Sequence, residues 1–95
     1  MALRLRRSPQ TVAVLSCLLR RGQSWRYGYD LLKETGLKSG TLYPILARLQ
    51  RGGWLEQRWE KPSAPGRPPR HLYRLTRLGR RAAREYCAGT KTRPA

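Results

Sequence analysis

The apolar positions change their period along the chain. Val12, Leu15, Leu18 and Leu19 fall on one helical face, and Tyr27, Leu31 and Leu32 do the same further on. Leu42, Ile45, Leu46 and Leu49 repeat at i, i+3, i+4 and i+7, the stripe of a helix buried on one side. The spacing then drops to two. Leu55, Gln57 and Trp59 alternate with polar neighbours, and so do His71, Tyr73 and Leu75. Helical spacing returns with Leu78, Ala82 and Tyr86.

Local signals sharpen these boundaries. Ser8 is placed to cap the first helix, with Pro9 at its first position and Gly22 as its stop. Val14 and Cys17 lie off the stripe of this helix, so they are either second-layer packing or a subunit contact. Ser24 predicts the start of a second helix through "SWRYGYDLLKETG", with Gly36 as the terminal glycine. Gly28 would then sit inside the helix at a cost of roughly 1 kcal/mol against alanine, which implies a backbone or aromatic ring packed against it. Asp30 and Glu34, one turn apart, read as a solvated face with Lys33 and Arg26 nearby.

Ser39 predicts the cap of the third helix, and Gly52 and Gly53 its end. Pro44 falls in the first turn or just past it, where its missing N–H is cheap only in the former case. The two alternating stretches predict a hairpin. Its connection, "KPSAPGRPP", carries Pro62, Pro65, Pro68 and Pro69 and cannot pair in a sheet, so it is a stiff basic tip. Thr76 caps a last helix with Leu78 and Ala82 inward. Residues 1–7 read as a basic arm, 8–87 as one small domain and 88–95 as a flexible tail.

Charge changes the picture most. The 95 residues hold 21 Lys plus Arg against 5 Asp plus Glu, a net charge of +16. Such an excess repels itself in a compact chain, and a polyanion relieves it. Of the basic residues 17 are Arg, whose planar fork suits phosphates and guanine edges. Opposite its apolar stripe the third helix offers Gly40, Thr41, Tyr43, Pro44, Ala47, Arg48 and Arg51: small and hydroxylic first, basic last. A helix entering a DNA major groove needs this order. Small groups let the backbone approach, and the helix N-terminus, here with Lys38 and Ser39, favours a phosphate. Lys61, Arg67 and Arg70 would place the hairpin tip on the backbone or minor groove. Arg6 and Arg7 in the arm, and Arg26 and Tyr29 in the second helix, are further candidates for backbone contact.

Other chemistries find less support. The two cysteines, Cys17 and Cys87, are far apart, and the single histidine, His71, has no metal-ligand spacing around it. No metal or other cofactor is expected, and a reducing compartment such as the cytoplasm is the default. "TVAVLSCLL" is too short to span a bilayer. It follows basic residues as a secretory leader would, yet no small-residue cleavage site comes after it. Ser39, Thr41, Tyr43 and His71 could be imagined as a nucleophile and base, but capping, phosphate contact and an ordinary strand position account for them, so the chain is not expected to be an enzyme. Trp25, Trp54 and Trp59 could stack on bases as in single-strand binders, although packing is the expectation for each.

Three helices, a hairpin with a basic tip and a final helix make a mainly α chain in winged helix-turn-helix order. The chain resembles the PadR family of bacterial transcription regulators. "YGYDLL" (27–32), "SGTLYPILARLQRGGWLE" (39–56) and "RHLYRLTRLG" (70–79) carry the resemblance, in the family's order and spacing. It implies a DNA-binding protein, usually a homodimeric repressor, whose third helix reads the major groove of duplex DNA and whose wing touches backbone or minor groove. Many relatives continue into a C-terminal helical domain that dimerises. Here the first and last helices would have to serve, through Leu5, Val14, Cys17, Ala83, Tyr86 and Cys87, and a small-molecule effector at the dimer centre, as in some relatives, stays an open question. The rival readings are an architectural or partition protein that coats nucleic acid without sequence preference, and a protein-interaction module. The third helix argues against the latter, because its outward face lacks large apolar groups other than Tyr43.

Overall fold

A computed structural model of the chain describes residues 8–62 and 64–89. The elements are α1 (Pro9–Arg20), β1 (Arg26–Tyr27), α2 (Gly28–Thr35), α3 (Ser39–Arg51), β2 (Leu55–Glu60), β3 (Arg70–Leu75) and α4 (Arg77–Gly89). The strands form one antiparallel sheet in the order β1-β3-β2.

Helix α1 begins as its sequence dictates. The Ser8 hydroxyl accepts from the Thr11 N–H at 3.1 Å, and Pro9 occupies the first turn, where no N–H is needed. The helix packs against α2, α3, α4 and β3. With neighbours on so many sides, its buried arc is wider than one stripe. Val14, Leu15 and Cys17 are all fully buried, and Leu18 nearly so. Val14 and Cys17 are thus core residues of this chain, not a surface offered to a second subunit.

The second helix starts later than the capping signal at Ser24 implies. Arg26 and Tyr27 are extended and pair with Tyr73 and Leu72 of β3. Ladder bonds to β3 outweigh the local helical preference of this segment. Gly28 is therefore the first residue of α2 and avoids the interior penalty. The close neighbour is real, however: a Cβ added at Gly28 would lie 2.7 Å from the Tyr43 hydroxyl. Gly36 closes α2 in the left-handed conformation (φ 74°), its N–H bonded to the Leu32 carbonyl at 2.9 Å.

In α3 the expected stripe is the buried one: Leu42, Ile45, Leu46 and Leu49 join the core with Leu15, Leu31, Leu55 and Leu75. The cap falls on Lys38, whose side chain makes no capping bond, so Ser39 is the first helical residue and not the cap. Pro44 lies beyond the first turn, and its missing N–H leaves the Gly40 carbonyl without a helical partner. Both residues are on the exposed side, where water can serve that carbonyl.

The hairpin register pairs Leu55 with Leu75, Gln57 with Tyr73 and Trp59 with His71, so the alternation is realised on one face. Thr76 then caps α4, its hydroxyl accepting from the Gly79 N–H at 2.9 Å and donating to the Gly53 carbonyl at 2.7 Å. The inward face of α4 differs from the expected one. Gly79 and Ala83 are buried, whereas Leu78 is 57% exposed. Gly79 sets this rotation, because any Cβ there would fall on the Trp54 carbonyl oxygen. With Gly79 held against Trp54, Ala83 follows one turn later on the same side. Ala83 is buried within its own chain and cannot serve as an intersubunit contact.

Candidate nucleic-acid interface

The exposed side of α3 gathers the groups expected to meet DNA. Lys38, Ser39, Gly40, Thr41, Tyr43, Pro44, Arg48 and Arg51 are all exposed, opposite the buried leucines. An added Cβ at Gly40 would meet nothing, so the space before the first turn is open. The N–H groups of Ser39 and Gly40 have no carbonyl one turn back within the helix, whereas that of Thr41 donates to the Lys38 carbonyl at 2.9 Å. Ser39, which is not the cap, is exposed beside that space.

Tyr43 connects this face to its neighbours. It packs on Gly28 at the start of α2 and is 37% exposed. A cleft of about 450 Å³ opens there, between Gly28, Tyr29 and Asp30 of α2, Tyr43 of α3, and Arg70 and His71 of β3. Tyr29, 67% exposed, lies on its rim as an outward group. α2, α3 and the hairpin thus present one continuous surface.

The wing supplies cations to that surface. Lys61, Arg67 and Arg70 are exposed. The Tyr27 hydroxyl donates to the Glu60 carboxylate at 2.9 Å and 3.0 Å, and the Arg70 guanidinium rests over the Tyr27 ring at 5.2 Å. The acid at the wing root is thereby engaged by a neutral donor. Among the described residues, ion pairs join Arg20 and Arg26 to Glu34 and Arg74 to Glu56, and none involves a cation of α3 or of the wing tip.

Arg26 corrects the sequence reading. It is only 4% exposed, pairs with Glu34, and donates to the Cys17 carbonyl at 3.1 Å. It is a buried structural cation joining α1 to α2 and cannot reach a phosphate. The Cys17 thiol donates to the same carboxylate at 3.2 Å. Burial and then the bond to Glu34 push that thiol's pKa up, which keeps it protonated and unreactive. The thiol's hydrogen bond and then the charge of Arg26 hold the Glu34 carboxyl below its ordinary range.

The tryptophans also divide. Trp54 is buried and meets Tyr86 edge-on, with centroids 6.4 Å apart. Trp25 lies between the guanidiniums of Arg58 and Arg74, at 4.6 Å and 4.3 Å. Trp59 does not pack in the core of its own chain, being 63% exposed on the outer part of the hairpin. The register is the signal that could have found it: Trp59 lies four residue pairs further along the hairpin than Leu55. Of the remaining candidates, Tyr86 and Cys87 are half-buried against the core, and the Tyr86 hydroxyl accepts from the Ser8 N–H at 3.1 Å. Leu5, Arg6 and Arg7 lie outside the described residues.

A two-faced third helix beside a three-stranded sheet with a basic hairpin defines a winged-helix protein. Residues 14–85 match the transcriptional regulator PadR-like family, and the chain belongs to it. That is a family of transcription regulators, not of enzymes. Solved structures agree. A PadR family transcriptional regulator from Eggerthella lenta is 35% identical, with a TM-score of 0.69 over 84% of this chain and 70% of its own. A PadR-like transcription factor from Bacteroides fragilis is 30% identical, with a TM-score of 0.69 over 85% and 79%. The PcaV transcriptional regulator from Streptomyces coelicolor, solved with its natural ligand, is 26% identical, with a TM-score of 0.67 over 86% of this chain and 54% of its own. A comparison with curated proteins finds no significant match. No helix among the described residues is long and apolar enough to cross a membrane.

Proposed function

We propose that the chain is a sequence-specific repressor whose helix α3 reads the major groove while the wing, residues 61–70, holds backbone or minor groove. The observation that carries this reading is the division of α3. Its leucine stripe is buried, while Thr41, Tyr43, Pro44, Arg48 and Arg51 stand exposed beside wing cations that no ion pair of the described residues engages. Thr41 and Arg48 reach base edges or close phosphates in this reading, and Lys38 and Ser39 hold a phosphate at the helix start. One such helix covers a short piece of groove, so selecting a single genomic site calls for two-fold pairing. The proposal is a homodimer on an inverted repeat with half-site centres about 10–10.5 bp apart. Tyr86 and Cys87 of α4, and Leu5 of the arm, are its contact candidates.

The test is a footprint on the DNA upstream of the protein's own gene, followed by titration of the protected duplex against random competitor. Thr41→Ala with Arg48→Ala should fold normally and lose about 1–3 kcal/mol of binding to the protected site. Unchanged affinity in that variant would remove α3 from the interface. Equal affinity of the native protein for random duplex would favour a non-specific coat. Light scattering in moderate salt reads the assembly, and a one-chain mass free and per half-site would overturn the dimer.

A further inference from the structure

The outer hairpin carries an aromatic feature that the proposed contacts of α3 and the wing cations leave unused. Along one face of β2 and β3 the pairs run Leu55–Leu75, Gln57–Tyr73 and Trp59–His71. The first pair is buried in the core, whereas Trp59 at the far end is exposed. The indole does not hang loose. It stacks on the His71 ring with centroids 3.6 Å apart and planes at 24°. His71 is braced in turn by Tyr73, 5.4 Å away between centroids, whose hydroxyl lies 3.4 Å from Nδ1. His71 also lines the cleft that Tyr43 and Arg70 share. A rigid apolar ring is therefore held on the face that joins α3 to the wing.

We propose that Trp59 is a DNA-contacting residue of this protein, its indole packing against the deoxyribose edge of the duplex strand that the wing holds. His71 is its positioning residue. Charge selects the occupant. Lys61, two residues further along from Trp59, is exposed, and Arg70 lines the cleft that His71 shares, while Arg58 lies over Trp25 on the other face of the hairpin. Of the acids on this side of the molecule, Glu60 is engaged by the Tyr27 hydroxyl, and Asp30 lies across the cleft on α2. A duplex backbone offers phosphates for the cations and apolar sugar edges for the ring within one repeat. Packing of this kind releases no counterions, so it adds affinity without adding to the salt dependence.

This inference rests on the DNA-binding reading, and the test separates the two. Binding of the footprinted duplex is measured over a range of salt for the native protein, Trp59→Ala, Trp59→Phe and His71→Ala. Trp59→Ala should bind about tenfold more weakly at every salt concentration, with the slope of log affinity against log salt unchanged. Trp59→Phe should recover most of the affinity, and His71→Ala should show a smaller deficit. Acrylamide quenching supplies a readout that needs no alanine variant: the fraction of emission missing in Trp59→Phe should be the fraction that duplex DNA protects in the native protein. Native binding with an unaltered Trp59→Ala affinity overturns the Trp59 contact and leaves the DNA reading intact. A slope that falls with the affinity overturns it as well, because the substitution has then removed cations from the phosphates. So does a deficit confined to single-stranded DNA. No duplex binding by the native protein overturns both.

Discussion

The junction of α1 with α2 and the face formed by α3 with the wing both contain arginine, and they use it in opposite ways. At the junction Arg26 is buried and fully engaged by Glu34 and the Cys17 carbonyl. On the other face Arg48, Arg51, Arg67 and Arg70 are exposed and outside the ion pairs of the described residues. A chain with only 5 acidic residues cannot neutralise 21 basic ones, so where the acids go decides which cations remain available. Net charge alone gives a surplus of cations; the engagement of Glu34, Glu56 and Glu60 elsewhere leaves those of α3 and the wing tip outside the ion pairs of the described residues.

The junction is the more sensitive of the two regions. Glu34→Ala leaves the buried guanidinium of Arg26 with the Cys17 carbonyl and solvent, and should cost about 1–3 kcal/mol of folding stability, read by denaturant unfolding. The folded fraction should keep native DNA affinity. If affinity falls with stability intact, the junction is part of the interface.

From the other side, Arg67→Ala with Arg70→Ala should leave stability unchanged and weaken all duplexes alike. The slope of log affinity against log salt should become shallower by about 1.8, roughly 0.9 for each phosphate that the wing no longer neutralises. An unchanged slope would mean a wing that does not touch DNA.

Gly28→Ala sharpens the contrast at the point where α2 meets α3. The added Cβ displaces the Tyr43 hydroxyl from its seat. Binding should weaken by a few-fold with little change in the helix itself, because Gly28 is its first residue. Measured affinity equal to native would place Tyr43 outside the interface.

The smallest expected effect is on pH. Glu34 is held below its ordinary range in the folded chain, so the unfolded chain takes up that proton at higher pH. Its contribution is complete above the ordinary carboxylate range and disappears as pH falls through the lowered value. Glu34→Gln should flatten the acid limb of the stability profile. An acid limb as steep as the native one would put the titration elsewhere.

Legibility in the sequence follows how many constraints each segment satisfies. For α3 the leucine spacing alone determines which side is core, and the exposed set follows from it. At α1 the spacing marks one stripe, but a helix with four packed neighbours buries Val14 and Cys17 too. Arg26 misleads because a charged residue near a helix start reads as surface, and its partners Glu34 and the Cys17 carbonyl become neighbours only once α1 and α2 pack. In α4 the leucine at 78 suggests one inward face, yet the close backbone approach that requires a glycine at 79 fixes another. Residue type alone assigns Trp59 to packing; its distance along the hairpin from Leu55 is the better guide.

The proline-rich wing tip has a consequence for the cost of capture. Pro62, Pro65, Pro68 and Pro69 each fix a backbone torsion, so the loop samples few shapes before it meets any target. A flexible glycine–serine tip of the same length would give up much of its freedom on docking, and that entropy would be subtracted from the affinity. Here most of the restriction is built in covalently. On the proposed reading the wing meets DNA already narrowed in shape, and more of each arginine's attraction for phosphate is retained as net binding.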